Sequence, residues 1–173
     1  MKCRHLPSRH RTATAISLAL AAAAAGAQDV TEEIVVTAAP LRQSADDLAQ
    51  SITVVTGAEL ERVRSLNLGE TLESQLGMSA SYFGAGASRP IIRGLAGPRV
   101  RTMEDGIDSM DVSTVSVDHA VSVDPLAAEQ VEIFRGPTTL LYGSGAVGGI
   151  VNTVTNRIPI ALPEDGIDGA LEL

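Results

Sequence analysis

Between Gly143 and Gly148 the chain reads Gly-Ser-Gly-Ala-Val-Gly, with Asp165 about twenty residues further on. This is the G-x-G-x-x-G spacing that turns backbone amides toward a pyrophosphate. That chemistry needs a helix directly after the glycines and a complete βαβ unit around them. Here Ile150, Val151, Thr153, Val154 and Thr155 follow, a β-branched run that reads as strand, so the match is coincidence in a glycine-rich chain. The second candidate is His119, set beside Asp118 in a stretch bounded by Asp111 and Asp124. Imidazole with carboxylates suits zinc, with His119 and Asp118 as the ligands. Against it stands the plainer reading of a solvated loop histidine, or a cap near a helix start. No Ser-His-Asp set is credible, because His119 has no nucleophile motif around it and the other two histidines lie in the first ten residues.

Those first residues are of a different kind. Lys2, Arg4, Arg9 and Arg11 form a basic head, Ala13 to Ala25 an alanine-dominated apolar stretch, and Ala25-Gly26-Ala27 a small-residue cleavage site. The three parts together are an export signal spanning 1–27. The apolar stretch is too short for a membrane helix, which takes roughly 20 residues. Cleavage removes four of the 13 cations and none of the 21 acids, leaving nine against 21, a net charge of −12. A nucleic-acid partner would need the opposite sign. Cys3, the single cysteine, leaves with the signal. The remainder therefore holds no disulfide, no Cys-ligated zinc and no thiol nucleophile. Tyr82, Phe83, Phe134 and Tyr142 are all the aromatics there are. So few large side chains make a thin core, which hints that the domain packs inside something else.

The elements that would position these residues are short. Residues 28–50 are acidic, carry Pro40 and show no period, and read as a mobile tether holding one extended run, Ile34 to Thr37. Order is expected from Ser51 to Thr56, a strand. Thr56 and Glu59 have capping-box spacing before a helix through Glu61 to Arg64. Asn67 and Glu70 repeat it, with Leu68, Leu72 and Leu76 on one helical face and Gly77 as the stop. Pro90 to Gly94 is a strand, Arg99 to Glu104 alternates, and Asp105-Gly106 is a two-residue hairpin turn. Asp124-Pro125 caps a turn of helix over Leu126 to Glu129. Val131 to Arg135 and Gly149 to Thr155 are strands on either side of a helical turn at Thr138 to Tyr142. The fold class is α+β, a small domain of short mixed β-strands and short helices.

In this order and spacing, several pieces resemble one family. Glu32 to Ala38 (EEIVVTA) resembles a TonB box. The set continues with Ile91-Ile92-Arg93-Gly94, Glu104-Asp105-Gly106, Val131-Glu132-Ile133-Phe134-Arg135-Gly136-Pro137, Leu141-Tyr142-Gly143 and Gly148-Gly149-Ile150-Val151-Asn152. Together they resemble the plug of TonB-dependent outer-membrane receptors, over roughly Glu32 to Ile158. The loop around His119 is similar to that of the zinc-uptake branch.

The resemblance implies an organisation of signal (1–27), TonB box and tether (28–50), plug (51–160), and a linker with the start of a first barrel strand (161–173). Glu32, Glu33, Ile34, Val35, Val36, Thr37 and Ala38 would meet the TonB C-terminal domain by strand addition. Arg93 and Arg135 would anchor the plug to barrel glutamates, a pairing that suits the guanidinium fork. The family plug sits inside a roughly 22-stranded β-barrel. At roughly 9–11 residues per strand that needs more than about 200 further residues. The expectation is therefore an N-terminal fragment that cannot itself form a pore. The implied function is active uptake of a scarce nutrient across the cell outer membrane. The domain would do no catalysis and hold no resident cofactor; zinc enters only as a transported ligand. The rival reading is a free-standing periplasmic module for binding or signalling. The missing barrel favours it, and the TonB box, useless without a channel, counts against it.

Overall fold

The computed structural model describes residues 35–38, 43–44, 50–158 and 166. The signal at 1–27, Glu32 to Ile34, most of the tether and most of 161–173 lie outside the described residues. In chain order the elements are β1 (Val35–Val36), β2 (Gln43–Ser44), β3 (Ser51–Thr56), α1 (Gly57–Val63), α2 (Leu68–Leu72), β4 (Met78–Ala80) and β5 (Pro90–Ile92). There follow β6 (Val100–Glu104), β7 (Ile107–Asp108), β8 (Ala128–Arg135), α3 (Thr139–Tyr142) and β9 (Gly149–Thr155). Single 3₁₀ turns at Gly97–Arg99, Val112–Thr114 and Pro125–Ala127 join them.

A five-stranded mixed sheet in the order β3-β8-β9-β6-β7 organises the domain. β8 pairs antiparallel with both β3 and β9, and β6 runs parallel to β9. Strand alternation divides the apolar side chains between two faces. One face carries Val55, Val131, Ile133 and Val151 against Leu60, Leu68 and Leu72 of the two helices. The other carries Phe134, Ile150 and Met103, with Val36, Ala38 and Ala146 packed on them. The small two-stranded sheet of β4 and β5 sits beside α2. The α+β class, the short helices and the mixed strands agree with the sequence reading.

Several local expectations are corrected. Thr56 does occupy the cap position of α1, but its hydroxyl donates to the Glu129 carbonyl of β8 (3.2 Å), so no capping box forms there. The bond donated across the strands forms in place of the one the hydroxyl would have accepted from the Glu59 amide. Asn67 does cap α2, accepting from the Glu70 amide at 2.9 Å, while the Glu70 carboxylate turns to Ser65. Leu68 and Leu72 are buried but α2 ends there, leaving Leu76 exposed and Gly77 (φ +74°) in the following turn. Five residues suffice to fill the space over the sheet, so leucine spacing overstated the helix. The helix expected over Leu126 to Glu129 is a 3₁₀ turn capped by Asp124 (Leu126 amide, 2.9 Å). Its chain then joins β8 at Ala128, because pairing with β9 begins at that residue. The Asp105-Gly106 turn forms as expected, with both residues at positive φ.

Candidate functional site

The described part of the extended N-terminal run does not hang free. β1 pairs antiparallel with β2 (Val35 opposite Ser44, Val36 opposite Gln43), and Val36 is wholly buried while Val35 is exposed. The next two amides converge on one carboxylate: Thr37 N donates to Glu132 Oε1 at 2.5 Å and Ala38 N to Glu132 Oε2 at 2.9 Å. Tyr142 donates its hydroxyl to the Ala38 carbonyl (2.6 Å), and Gln130 Nε2 donates to the Val35 carbonyl (3.1 Å). The expectation of a mobile tether through this stretch is therefore corrected at Val35 to Ala38. Two small apolar side chains on the sheet and four polar contacts outweigh the freedom of a polar leash.

Glu132 itself lies in the middle of β8 with no exposed surface. Its oxygens also accept from Gln130 Nε2 (2.8 Å) and Asn152 Nδ2 (3.0 Å). Charge-assisted bonds from four donors replace the water such a carboxylate loses. Asn152 in turn accepts from the Gly106 amide (2.9 Å), tying the β6–β7 hairpin to the same network. The Tyr142 ring packs at 5.9 Å from Phe134, and its phenol is pushed up by burial and by the nearby Glu132 charge. Sequence reasoning missed this niche. Its signal was a glutamate and an asparagine at opposed positions of two otherwise apolar strands, Val-Glu-Ile-Phe and Ile-Val-Asn-Thr.

Arg93 and Arg135 are brought together on either side of Gly77. A Cβ there would lie 3.7 Å from Arg93 Cγ and 3.8 Å from Arg135 Nε. Arg93 is exposed on a strained backbone (φ +50°), held by the hydrogen bond its backbone N–H donates to the Gly77 carbonyl (2.8 Å). Arg135 donates to Thr53 Oγ1 (2.5 Å), while its Nε and Nη2 are buried without a partner among the described residues. Burial first, and the Arg93 charge second, lower the Arg135 pKa. No carboxylate pairs with either arginine among the described residues.

The loop from Asp111 to Asp124 is stitched by its own acids. Asp111 accepts from Ser113, from Ser109 (3.3 Å), and from the Ser122 amide and hydroxyl (both 2.9 Å). Asp124 is used as a cap. His119 is exposed, and among the described residues its one hydrogen-bond partner is Asp118, Nδ1 to Oδ1 at 2.9 Å. Hydrogen bonds from Ser116 and then from His119 hold the Asp118 carboxyl low. The two predicted metal residues are thus adjacent, and no group of three ligating side chains forms among the described residues.

The glycines of Gly143 to Gly148 serve close packing. The chain passes straight from them into β9, with no helix to present amides to a phosphate. A Cβ on the adjoining Gly149 would come within 2.0 Å of the Phe134 carbonyl oxygen, so the backbones of β8 and β9 meet there only because the side chain is absent. Among the described residues no helix is long and apolar enough to cross a membrane.

A plug-type domain is what this sheet and its flanking loops define, and the comparisons agree. The family model for the TonB-dependent receptor plug domain matches residues 44–150, and the chain belongs to that family. Among solved structures it is similar to the siderophore receptor PirA from Acinetobacter baumannii, at 24% identity and a TM-score of 0.51 over 62% of this chain and 17% of that one. It is also similar to a variant of the ferric enterobactin receptor PfeA from Pseudomonas aeruginosa in complex with enterobactin, at 23% identity and a TM-score of 0.51 over 62% and 18%. The ferric yersiniabactin uptake receptor FyuA from Yersinia pestis matches at 26% identity and a TM-score of 0.48 over 62% and 17%. The chain spans less than a fifth of the length of each of these receptors.

Proposed function

We propose that this chain is the plug region of a TonB-dependent outer-membrane receptor that takes up a scarce nutrient such as an iron chelate or zinc. In this reading TonB engages Glu32 to Ala38, and the plug is remodelled so that substrate passes. The domain carries no catalysis of its own. Membership of the plug family is the observation that carries the reading. Two local features support it. The run through Val35 and Val36 is extended and already makes main-chain pairs, which is the chemistry of strand addition. Arg135 stands beside Arg93 with its Nε and Nη2 unpaired among the described residues, as a cation awaiting a carboxylate from another element would. An export signal at 1–27 would deliver the chain to the periplasm and outer membrane.

The test is proline at Val35 in the barrel-containing receptor. Proline removes a backbone donor and fixes φ, so strand addition fails while the sheet of the plug is untouched. Uptake of the substrate should be lost with surface binding retained. Normal uptake in that variant would show that the segment is not the energy-coupling contact.

A further inference from the structure

We infer that Glu132 is a clasp that withholds the Val35–Ala38 segment from a partner strand, with Asn152 as the residue that positions the clasp. The inference rests on the reading of Glu32 to Ala38 as the TonB contact. Strand addition consumes the main-chain groups of the segment being added. In this structure those groups are occupied. One edge of β1 is paired with β2, the Thr37 and Ala38 amides are held by the two oxygens of Glu132, and the Val35 and Ala38 carbonyls accept from Gln130 and Tyr142. The side chain of Val36 is buried as well. A partner therefore cannot pair with Val35 to Ala38 where the segment lies; the segment must first leave.

The carboxylate is what makes leaving costly. Phe134 and Ile150 offer apolar contact to Val36 and Ala38, but two such small side chains bury little area. Glu132 is fully buried, no cation pairs with it among the described residues, and its charge is balanced by four N–H donors. Two of those four belong to the segment. Departure strips half of the donors from a desolvated carboxylate, so the segment and the carboxylate hold each other in place. Asn152 faces Glu132 across the β8–β9 pair and is itself fixed by the Gly106 amide, so the β6–β7 hairpin sets the aim of the clasp.

Amide hydrogen exchange on the full 173-residue chain reads this directly, at Thr37 and Ala38. The unaltered chain should protect both amides. Glu132→Gln keeps the shape but leaves one acceptor where two were needed, and charged bonds of this kind imply faster exchange by roughly tenfold or more. The amides of Val131 and Val151 should be unaffected. Because only the released segment can bind, the affinity of purified TonB C-terminal domain should rise by the same factor in the variant. Tyr142→Phe removes only the bond to the Ala38 carbonyl and should release the segment in the same direction by less. It decides the matter if Glu132→Gln disturbs the sheet. Equal exchange at Thr37 and Ala38 in all three proteins, or no protection in the unaltered chain, overturns the clasp. Faster exchange with no TonB binding in any of them upholds the clasp and overturns the TonB-contact reading.

Discussion

Alanine at Gly149 should unfold or severely loosen the domain, and the structure sets the size of the effect. Gly149 sits opposite Arg135 at the start of β9, with φ at +137°. A side chain at that φ costs about 1–3 kcal/mol in backbone strain. The new methyl would also lie 2.0 Å from the Phe134 carbonyl oxygen and 3.1 Å from Ile92 Cδ1. Ordinary carbon–oxygen contact is beyond 3 Å, so β8 and β9 must separate by about an ångström, and overpacking of this kind costs a further 1–3 kcal/mol or so. The sum, about 4 kcal/mol, is a large share of the roughly 5–15 kcal/mol that holds a typical domain folded. Gly106→Ala is the matched control. Its φ is +81° but nothing lies within 4 Å of the added methyl, so it carries strain without collision and should cost about 1–2 kcal/mol. Urea unfolding followed by circular dichroism measures both. If Gly149→Ala costs no more than Gly106→Ala, the close approach of β8 to β9 is not what fixes glycine at this position.

Further outcomes are expected at the other sites. Arg135→Met removes a cation beside Arg93 and two nitrogens without partners among the described residues, so in the isolated chain it should change stability by no more than about 1 kcal/mol, in the stabilising direction. In a receptor whose barrel supplies carboxylates it should weaken plug retention, and a loss of stability in the isolated chain would show that Arg135 is already satisfied. Burial would raise the Asp111 pKa, but hydrogen bonds from Ser113 and Ser122 outweigh it and hold the group below its usual range. A depressed folded pKa means the contribution is complete above about pH 4 and is lost as the pH falls further. The Ser122 amide, followed by NMR, should stay protected through the ordinary aspartate range and open only at lower pH, as Asp111 itself takes up a proton, and Asp111→Asn should abolish that dependence. For metal, His119→Ala should lower zinc affinity of the barrel-containing receptor more than Asp108→Ala does; equal effects return His119 to a solvated loop.

Much of the sheet was legible in the chain itself. Ser51 to Thr56, Val131 to Arg135 and Gly149 to Thr155 are β-branched runs with turn residues around them, and all three form strands. Asp105-Gly106 turns because only residues tolerant of positive φ stand there, and Asn67 and Asp124 cap because the amides that donate to them lie two or three residues on. Such features are local, and local chemistry is written in neighbouring letters. Helix lengths were not: α2 ends at Leu72 and leaves Leu76 exposed, a limit that leucine spacing does not contain.

The sequence alone determined which residues are chemically unusual. Tertiary structure decided what they do. Arg93 and Arg135 are 42 positions apart in the chain, and only the fold sets both against Gly77, where their charges oppose each other. Glu132 stands 95 positions from Thr37 and reads, letter by letter, as one polar residue in an apolar strand. Its meaning depends on which amides arrive beside it once water is gone. A buried carboxylate must find donors somewhere, and the fold places two of them in the segment that sequence reading had set loose.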